Sequence, residues 1–265
     1  MVFCQQELFQ ASEKQGCNMF GKEIENQIIE YAKENPNIEV CGYVSSEKQF
    51  VKVPNISPNS ATEFVVENRL IPDDILAFVH SHPNGPFYPS ETDMRQQLAT
   101  DVTWGIVAFD NNYTDLFWFG ENAPIEKLVG RGFRHGLTDC YSLIKDFYKV
   151  IHEINLPEFP REWEWWNGSA KLYEDGFSSA GFREISKAEI LPGDVFLASV
   201  RSSTPNHAAV YLGDGLILHH SSGRVGYDPF KLSTVEPGAR WFNFMSKVLR
   251  YENSDIDRTI GQKVR

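Results

Sequence analysis

The sequence predicts two units of mixed helix and strand, an α/β or α+β unit followed by an α+β unit. The first observation is a charge division. The 265 residues carry a net charge of −11, with 7 Lys and Arg against 18 Asp and Glu up to residue 121 and 18 against 18 beyond it. The second is the order of elements: strand-like runs mixed with helices come first, and one strong helix followed by strands comes later. The length fits two small domains at roughly 150 residues per domain.

The composition excludes several classes of protein. Hydrophobic residues make up 42% of the chain and aromatic residues 13%, enough for globular cores, so general disorder is excluded. No apolar run approaches the roughly 20 residues of a membrane span, and the N-terminus does not resemble a secretory signal. The net negative charge argues against nucleic acid as a partner. The cysteines form neither a CxxC motif nor a disulfide framework, which predicts a reducing compartment; they are Cys4, Cys17, Cys41 and Cys140.

The first half divides into an N-terminal arm over residues 1–18 and a domain over residues 19–121. The arm is polar and Gln-rich. FGKEIENQIIEYAKENP has apolar residues at helical spacing with a proline at its end, which predicts a helix. SETDMRQQLAT predicts a second helix. Strands are predicted, in order, for VCGYVSS, QFVKVPN, TEFVVE, ILAFVHSH, TWGIVAFD and DLFWFG.

The second half divides into a linker over residues 122–134, a domain over 135–252 and a polar tail over 253–265. The linker carries Pro, Gly and charge, and it coincides with the charge boundary. TDCYSLIKDFYKVIHEI is an amphipathic helix that begins at Thr138 or Asp139. An aromatic-rich segment follows, and then strands are predicted for DVFLASV, NHAAVYLG, LILHHS and RWFNFMSKVLRY.

Two histidines in the first half have the spacing of metal ligands. If ILAFVHSH is a strand, His80 and His82 project from the same face because side chains alternate. Asp93 could add a carboxylate from the first turn of the next helix. Two imidazoles and a carboxylate are typical of a catalytic zinc site. The alternatives are that the two histidines bind no metal and that Ser90-x-x-Asp93 only caps the helix.

Together these residues resemble the JAMM motif of MPN-domain metallopeptidases, in which a Glu precedes H-x-H, ten residues and an S-x-x-D. Here ten residues separate His82 from Asp93, and Glu39 in NIEVCGYV is similar to the upstream Glu of the family. The resemblance implies a mixed sheet with helices and a zinc ion held by His80, His82 and Asp93. It further implies Glu39 as the general base for the attacking water and Ser90 as a donor to the oxyanion.

The second half offers a cysteine nucleophile at the start of a helix. Cys140 follows Asp139, and a helix N-terminus favours the thiolate. Alone, a buried core cysteine is the simpler interpretation. The base would come from NHAAVYLGDGLILHH. A three-residue loop at Gly213–Gly215 pairs Leu212 with Leu216 and His219 with Ala209, so that His207 and His219 share a face; a two-residue loop would select His220 instead.

This half resembles the NlpC-type papain-like cell-wall peptidases. The matching features are Asp139-Cys140, the Pro-Gly-Asp194 segment, HAAVYLG from His207, and His219 twelve residues later. The resemblance implies a helix packed on an antiparallel sheet, Cys140 as nucleophile, His207 as base and His219 as the group that orients the base. The substrate would be the stem peptide of peptidoglycan, cut at a D-glutamyl–diamino acid bond. The Tyr that the family often has before its Cys is replaced by Phe133.

The order of the two units, with RGFRHGLTDCYSLIKDFY between them, resembles the tail tip assembly protein K family of lambda-like siphophages over most of the chain. The resemblance implies two hydrolase sites, other phage tail tip proteins as partners, and local opening of the cell wall during genome entry. The protein would be made in the host cytoplasm and act from the virion at the periplasmic wall. The alternative is a structural assembly component whose sites are vestigial or used once.

Overall fold

The computed structural model describes residues 19–252. These residues form two compact units, one ending at Pro124 and the other beginning at Ile125. The predicted arm (1–18) and tail (253–265) lie outside the described residues. Within residues 19–252, no helix combines the length and the apolar character needed to cross a membrane.

The first unit is a mixed five-stranded sheet with two helices. The strand order is β2-β1-β3-β4-β5, and only β3 and β4 run parallel. The second helix connects these two strands, as a parallel pair requires. The elements are α1 (Lys22–Glu34), β1 (Cys41–Val44), β2 (Phe50–Val53), β3 (Ala77–Pro83), α2 (Glu91–Thr100), β4 (Thr103–Phe109) and β5 (Thr114–Phe119), with a 3₁₀ turn at Asn68–Leu70.

The core of this unit lies between α1 and the centre of the sheet. Ile28 and Ala32 on α1 pack in one cluster with Val79 of β3 and Val107 of β4. Because β3 is a central strand, nearly all its residues are buried, including both histidines. The expected mixed sheet with helices is confirmed.

The strand predicted for TEFVVE, residues 62–67, is wrong: this segment is a loop. Val65 donates its N–H to the Asn55 side chain at 3.0 Å, so that part of the local hydrogen bonding is taken by a side chain and not by a strand ladder. Phe64 packs against Phe78 and His80, which explains one of the apolar residues that suggested a strand.

The second unit is a six-stranded antiparallel sheet with a helix packed on it. The strand order is β12-β10-β9-β8-β13-β7, and a separate two-stranded ribbon joins β11 to β6. The elements are β6 (Gly132–Arg134), α3 (Cys140–His152), α4 (Leu172–Ser179), β7 (Phe182–Ile185), β8 (Val195–Ala198), β9 (His207–Gly213), β10 (Leu216–His219), β11 (Tyr227–Leu232), β12 (Thr234–Pro237), α5 (Ala239–Phe242) and β13 (Met245–Tyr251), with 3₁₀ turns at Trp165–Asn167 and Lys187–Glu189.

The amphipathic helix α3 buries one face in the core of this unit. Leu143 and Phe147 are fully buried in the same cluster as Ala208 and Val210 of β9. Asp139 is the residue that caps the helix: its carboxylate accepts from the Ser142 N–H at 3.0 Å. The helix-plus-antiparallel-sheet arrangement expected for this half is confirmed.

The residues predicted as a linker, 122–134, include Leu128, which is fully buried in the core, and strand β6. One predicted strand of the second half differs in the structure. RWFNFMSKVLRY is not one strand, because Trp241 and Phe242 donate to the Gly238 carbonyl and form the short helix α5 before β13 begins. The amide of Trp241 is therefore used in a turn, and its side chain is buried.

The β9–β10 hairpin sets the positions of the catalytic candidates. His219 pairs with Ala209, as predicted, but Leu216 pairs with Gly213 and not with Leu212. The loop is thus the two residues Asp214 and Gly215, both with positive φ, and a bulge after Leu216 shifts the register back. His207 and His219 therefore share one face of the sheet.

Candidate active sites

The first unit brings His80, His82 and Asp93 together in a buried cluster. The two histidines project from β3 and the aspartate from the first turn of α2. The Nε2 atoms of the histidines are 3.1 Å apart. Asp93 Oδ1 lies 3.2 Å from Nε2 of His80, and Oδ2 lies 3.5 Å from Nε2 of His82. One donor atom from each of the three side chains can therefore face a single point.

Hydrogen bonds on the outer side of this cluster orient its donor atoms. Nδ1 of His82 lies 2.9 Å from the carbonyl oxygen of Pro86, which can only accept, so Nδ1 carries a proton. Burial disfavours the charged ring, but the interactions with Asp93 outweigh it and raise the pKa of His82 above its usual value. When Nε2 loses its proton, it presents a lone pair to the cluster. The Ser90 hydroxyl donates to Oδ2 of Asp93 at 2.7 Å and accepts from the Asp93 N–H at 3.1 Å. Ser90 is thus the N-cap of α2 and a partner of Asp93, so its hydroxyl proton is engaged there.

The cluster fits a divalent cation. When Nε2 of His82 is unprotonated, its lone pair faces a second imidazole nitrogen and a carboxylate oxygen, and these three atoms can bind one cation together. Although burial works against ionisation, the attraction of the nearby His80 and His82 holds the pKa of Asp93 far below its usual range, so the carboxylate is charged. Two imidazoles with one carboxylate form a donor set that suits zinc.

Glu39 lies beside the cluster at the edge of β1. The register that pairs Cys41 with His80 continues through two hydrogen bonds between Val40 and Ser81, and it places Glu39 opposite His82. Burial raises the pKa of the Glu39 carboxyl to about 7, with His82 opposing the rise and Asp93 adding to it. A carboxyl that exchanges its proton near neutral pH suits a general base.

An aromatic wall, Phe64 with Trp104, covers His80. The Phe64 ring centroid lies 4.7 Å from that of His80, and the Trp104 centroid lies 5.7 Å from it. Sequence reasoning missed this wall because Phe64 comes from the loop that was predicted to be a strand. Nothing in the local pattern signals that it turns toward the histidines.

In the second unit, Cys140 lies at the first turn of α3 and contacts a tyrosine. Its Sγ is 3.0 Å from the hydroxyl of Tyr173, and the Ala208 N–H also donates to the sulfur. Among residues 19–252, no hydrogen bond joins Cys140 to His207, the residue before Ala208. Burial, and after it the Asp139 carboxylate, raises the pKa of the Cys140 thiol to about 11, although the Tyr173 bond opposes the rise. The resting sulfur is therefore a thiol, unlike the thiolate expected from its place at a helix N-terminus.

The histidines predicted as base and orienting group do meet. Nε2 of His207 lies 3.2 Å from Nδ1 of His219, and both rings pack against Trp241 with centroids 4.6 Å away. His220 points elsewhere, to the carbonyl oxygen of Lys231. The far nitrogen of His219 bonds the Glu236 carboxylate at 2.9 Å. Sequence reasoning missed Glu236 and Trp241 because both follow the last residue of the motif.

Two relatives place the chain in a family. A protein from Escherichia phage N15, named tail tip assembly protein K, is 28% identical over 246 residues, 88% of this chain and 95% of its own length. A protein of the same name from Escherichia phage lambda is 40% identical over 147 residues, 56% of this chain and 70% of its own length. This chain belongs to the tail tip assembly protein K family.

Each half of this tail tip assembly protein K family member also matches a domain family. Residues 21–119 match the prokaryotic homologs of the JAB domain, and residues 130–240 match the NlpC/P60 family. A solved NlpC/P60 family protein from Bacillus cereus shares 13% identity and a TM-score of 0.30, over 84% of this chain and 67% of that one. The first match contains the His80 cluster, and the second contains Cys140, His207 and His219.

Asp139, the residue before Cys140, forms a buried ion pair with Arg161. The Arg161 guanidinium donates to both carboxylate oxygens of Asp139, at 2.9 and 2.8 Å, and both side chains are almost fully buried. Asp139 also accepts from the Gly136 N–H at 2.9 Å. The turn before Cys140 is thereby connected to the aromatic-rich segment that supplies Arg161. The sequence suggested Asp139 only as a helix cap, and the partner 22 residues away carries no local signal.

Proposed function

We propose that this chain is a phage tail tip protein with two hydrolase centres, a zinc metallopeptidase in the first unit and a cysteine peptidase in the second. The observation that carries the proposal is the presence, in a member of the tail tip assembly protein K family, of two separate buried clusters, each with the donor set of its chemistry. In this proposal the cysteine centre cuts stem peptides of peptidoglycan at a D-glutamyl–diamino acid bond. The protein works in the virion tail tip, with other tail tip proteins, to open the cell wall locally during genome entry.

The cysteine centre would act through a thioester. The Cys140 thiol gives its proton to His207 as the sulfur attacks the amide carbonyl carbon; the carbon–nitrogen bond then breaks, and the amine leaves with the proton from His207. Water next attacks the thioester, His207 takes a proton from that water, and the sulfur leaves and regains a proton. The Tyr173 hydroxyl supports this reaction because it can donate to the sulfur while the thiol proton moves to His207.

The metal centre would use His80, His82 and Asp93 as ligands. When bound there, zinc supplies Lewis-acid polarisation of a carbonyl and lowers the pKa of water toward ~7. Glu39 receives the proton of the attacking water, since burial gives this carboxyl a pKa of about 7. Ser90 keeps Asp93 in place through its 2.7 Å hydrogen bond before the reaction. In this proposal the hydroxyl turns from Asp93 to donate to the oxyanion as that charge develops.

A wall-cleavage assay tests the cysteine centre. The full chain with Cys140→Ala should fail to release peptide from purified peptidoglycan, while wild type releases it. Cys41→Ala is the matched control, because Cys41 is the other buried free cysteine of the described residues. Equal release by wild type and Cys140→Ala would overturn this centre, and would favour the alternative of a structural assembly component.

Metal analysis tests the other centre. Purified wild-type protein should hold one equivalent of zinc, and the double variant His80→Ala, His82→Ala should hold none. His135→Ala with His152→Ala is a matched control, because neither histidine belongs to a proposed metal cluster. Stoichiometric zinc in the first double variant would overturn the site.

A further inference from the structure

Glu236 lies at the end of a hydrogen-bond chain that runs through both catalytic histidines. Its Oε1 is 2.6 Å from Nε1 of Trp241 and 2.9 Å from Nε2 of His219. Nδ1 of His219 is in turn 3.2 Å from Nε2 of His207. Strand pairing produces this chain: His219 pairs with Thr234, and Glu236 lies two residues further on the same face of β12.

The donor and acceptor properties of Trp241 and Glu236 determine which nitrogens of His219 and His207 carry protons. The Trp241 indole can only donate, and an ionised carboxylate can only accept, so Nε2 of His219 must carry the proton that reaches Glu236. A neutral His219 then has a lone pair on Nδ1, and Nε2 of His207 must donate to it. Because a neutral imidazole carries only one N–H, the lone pair of His207 is then on Nδ1. The second histidine therefore decides which nitrogen of the first can act as a base.

The charge states of the residues in this hydrogen-bond chain agree with the proton positions given above. Burial lowers the pKa of both histidines below their usual value, so both are neutral at pH 7. Burial tends to raise the pKa of Glu236, but the Trp241 hydrogen bond and the nearby His219 outweigh it, and the carboxyl is ionised. The other charged or titratable groups that act on the two histidines are Arg240, Lys231 and His220.

We propose that Glu236 is a positioning residue that sets the tautomer of His219 and, through it, makes Nδ1 of His207 the proton acceptor for the Cys140 thiol. The step is a single proton transfer: the S–H bond of Cys140 breaks, and an N–H bond forms on Nδ1 of His207. The inference rests on the proposed cysteine chemistry and extends the predicted Cys–His–His set by one carboxylate. Without Glu236, His219 is free to carry its proton on Nδ1, which would turn His207 to the opposite tautomer.

Nitrogen NMR of the full chain labelled at histidine tests the proton count with no substitution and no wall substrate. The expected spectrum shows protonated Nε2 and unprotonated Nδ1 in both His207 and His219, assigned with His207→Gln and His219→Gln. A protonated Nδ1 on His219 in the wild-type protein overturns the proposal.

Alkylation of Cys140 by iodoacetamide, read by mass from its own peptide across neutral to alkaline pH, tests the consequence. Glu236→Leu should slow alkylation at neutral pH by about 10- to 100-fold, the range found when a metal-ligating histidine loses the partner that orients it. Glu236→Gln should stay within about threefold of wild type, because Trp241 keeps an acceptor oxygen in place and the amide oxygen still accepts from His219. Glu184→Gln, an exposed glutamate of the same unit, is the control.

The two proposals fail in different ways. Wall cleavage can be absent while the tautomers and the alkylation rates follow this prediction; the positioning role then stands and the substrate does not. Equal alkylation of wild type and Glu236→Leu, with folding verified by circular dichroism, overturns the positioning role whatever the protein does to peptidoglycan. If Glu236→Leu does not fold, the wild-type NMR spectrum and Glu236→Gln decide the matter.

Discussion

The two units build their sites in different ways. In the first, the three metal-ligand candidates lie within 14 residues of one another, on one strand and the helix that follows it, and they already converge. In the second, the proposed nucleophile and histidines come from α3, β9 and β10, and their environment is completed by Arg161, Tyr173 and Glu236 from three further segments. The first site depends on local spacing, and the second depends on the packing of the whole unit.

The largest expected effect is on the stability of the second unit. Asp139→Ala leaves the buried Arg161 guanidinium without its main partner, which should cost about 3–5 kcal/mol of unfolding free energy. Thermal denaturation measures it. Glu67→Gln, which breaks the exposed pair with Arg69 in the first unit, should change stability little. Equal effects of the two substitutions would contradict the comparison.

The same ion pair predicts a pH dependence. Burial opposes ionisation of Asp139, but Arg161 outweighs it and holds the pKa of the carboxyl far below its usual range. A lowered folded-state pKa contributes stability above the unfolded value of about 4, and this contribution is lost as the pH falls through the folded value. Melting temperature measured against pH should therefore fall below about pH 4, and Asp139→Asn should flatten that fall. An unchanged slope in the variant would refute the assignment.

A smaller effect is expected when the metal cluster loses its supporting serine. Ser90→Ala removes the hydroxyl that bonds Asp93 and should weaken zinc affinity by about 10- to 100-fold. Competition with a chelator measures the affinity. Ser186→Ala is a matched control, because Ser186 closes the same kind of capping box at a helix start in the other unit. Unchanged affinity in Ser90→Ala would show that Asp93 does not need this bond.

The smallest effect concerns the thiol. Tyr173→Phe removes a hydrogen bond that lowers the pKa of Cys140, so the pKa should rise further and alkylation at neutral pH should slow by about 5- to 10-fold, the equivalent of one hydrogen bond. The pH profile of iodoacetamide labelling at Cys140 measures it. Tyr211→Phe, which removes the hydroxyl that accepts from the Gly215 N–H in the hairpin loop, should not slow labelling. Faster labelling in Tyr173→Phe would contradict the role of Tyr173.

The difference between local spacing in the first site and long-range contacts in the second also determines which site residues can be predicted from sequence. The period of two along a strand places His80 and His82 on one face, and ten intervening residues place Asp93 at the next helix start, so the metal cluster follows from local rules. The pairing of His219 with Ala209 is predicted correctly although the loop is not, because a bulge restores the register. Tyr173 and Glu236 carry no local signal: their roles depend on contacts between segments far apart in sequence.

The two incorrect strand predictions, for TEFVVE and RWFNFMSKVLRY, have the same physical origin. In TEFVVE, Phe64 packs on His80 and the segment does not join the sheet. The sequence pattern predicts Trp241 to be part of a strand. In the structure it forms a helical turn and packs on His207 and His219. In both segments a tertiary contact with a site residue replaces the local preference.

We propose that one chain carries two independent hydrolase centres, and a crossed measurement on the two centres distinguishes this from a shared or a single centre. Zinc content and peptidoglycan cleavage are measured on wild type, on Cys140→Ala and on the double variant His80→Ala, His82→Ala, all as the full chain. We expect Cys140→Ala to keep its zinc and lose cleavage, and the double variant to lose its zinc and keep cleavage. Loss of cleavage together with zinc in the double variant, or cleavage that survives Cys140→Ala, would contradict it.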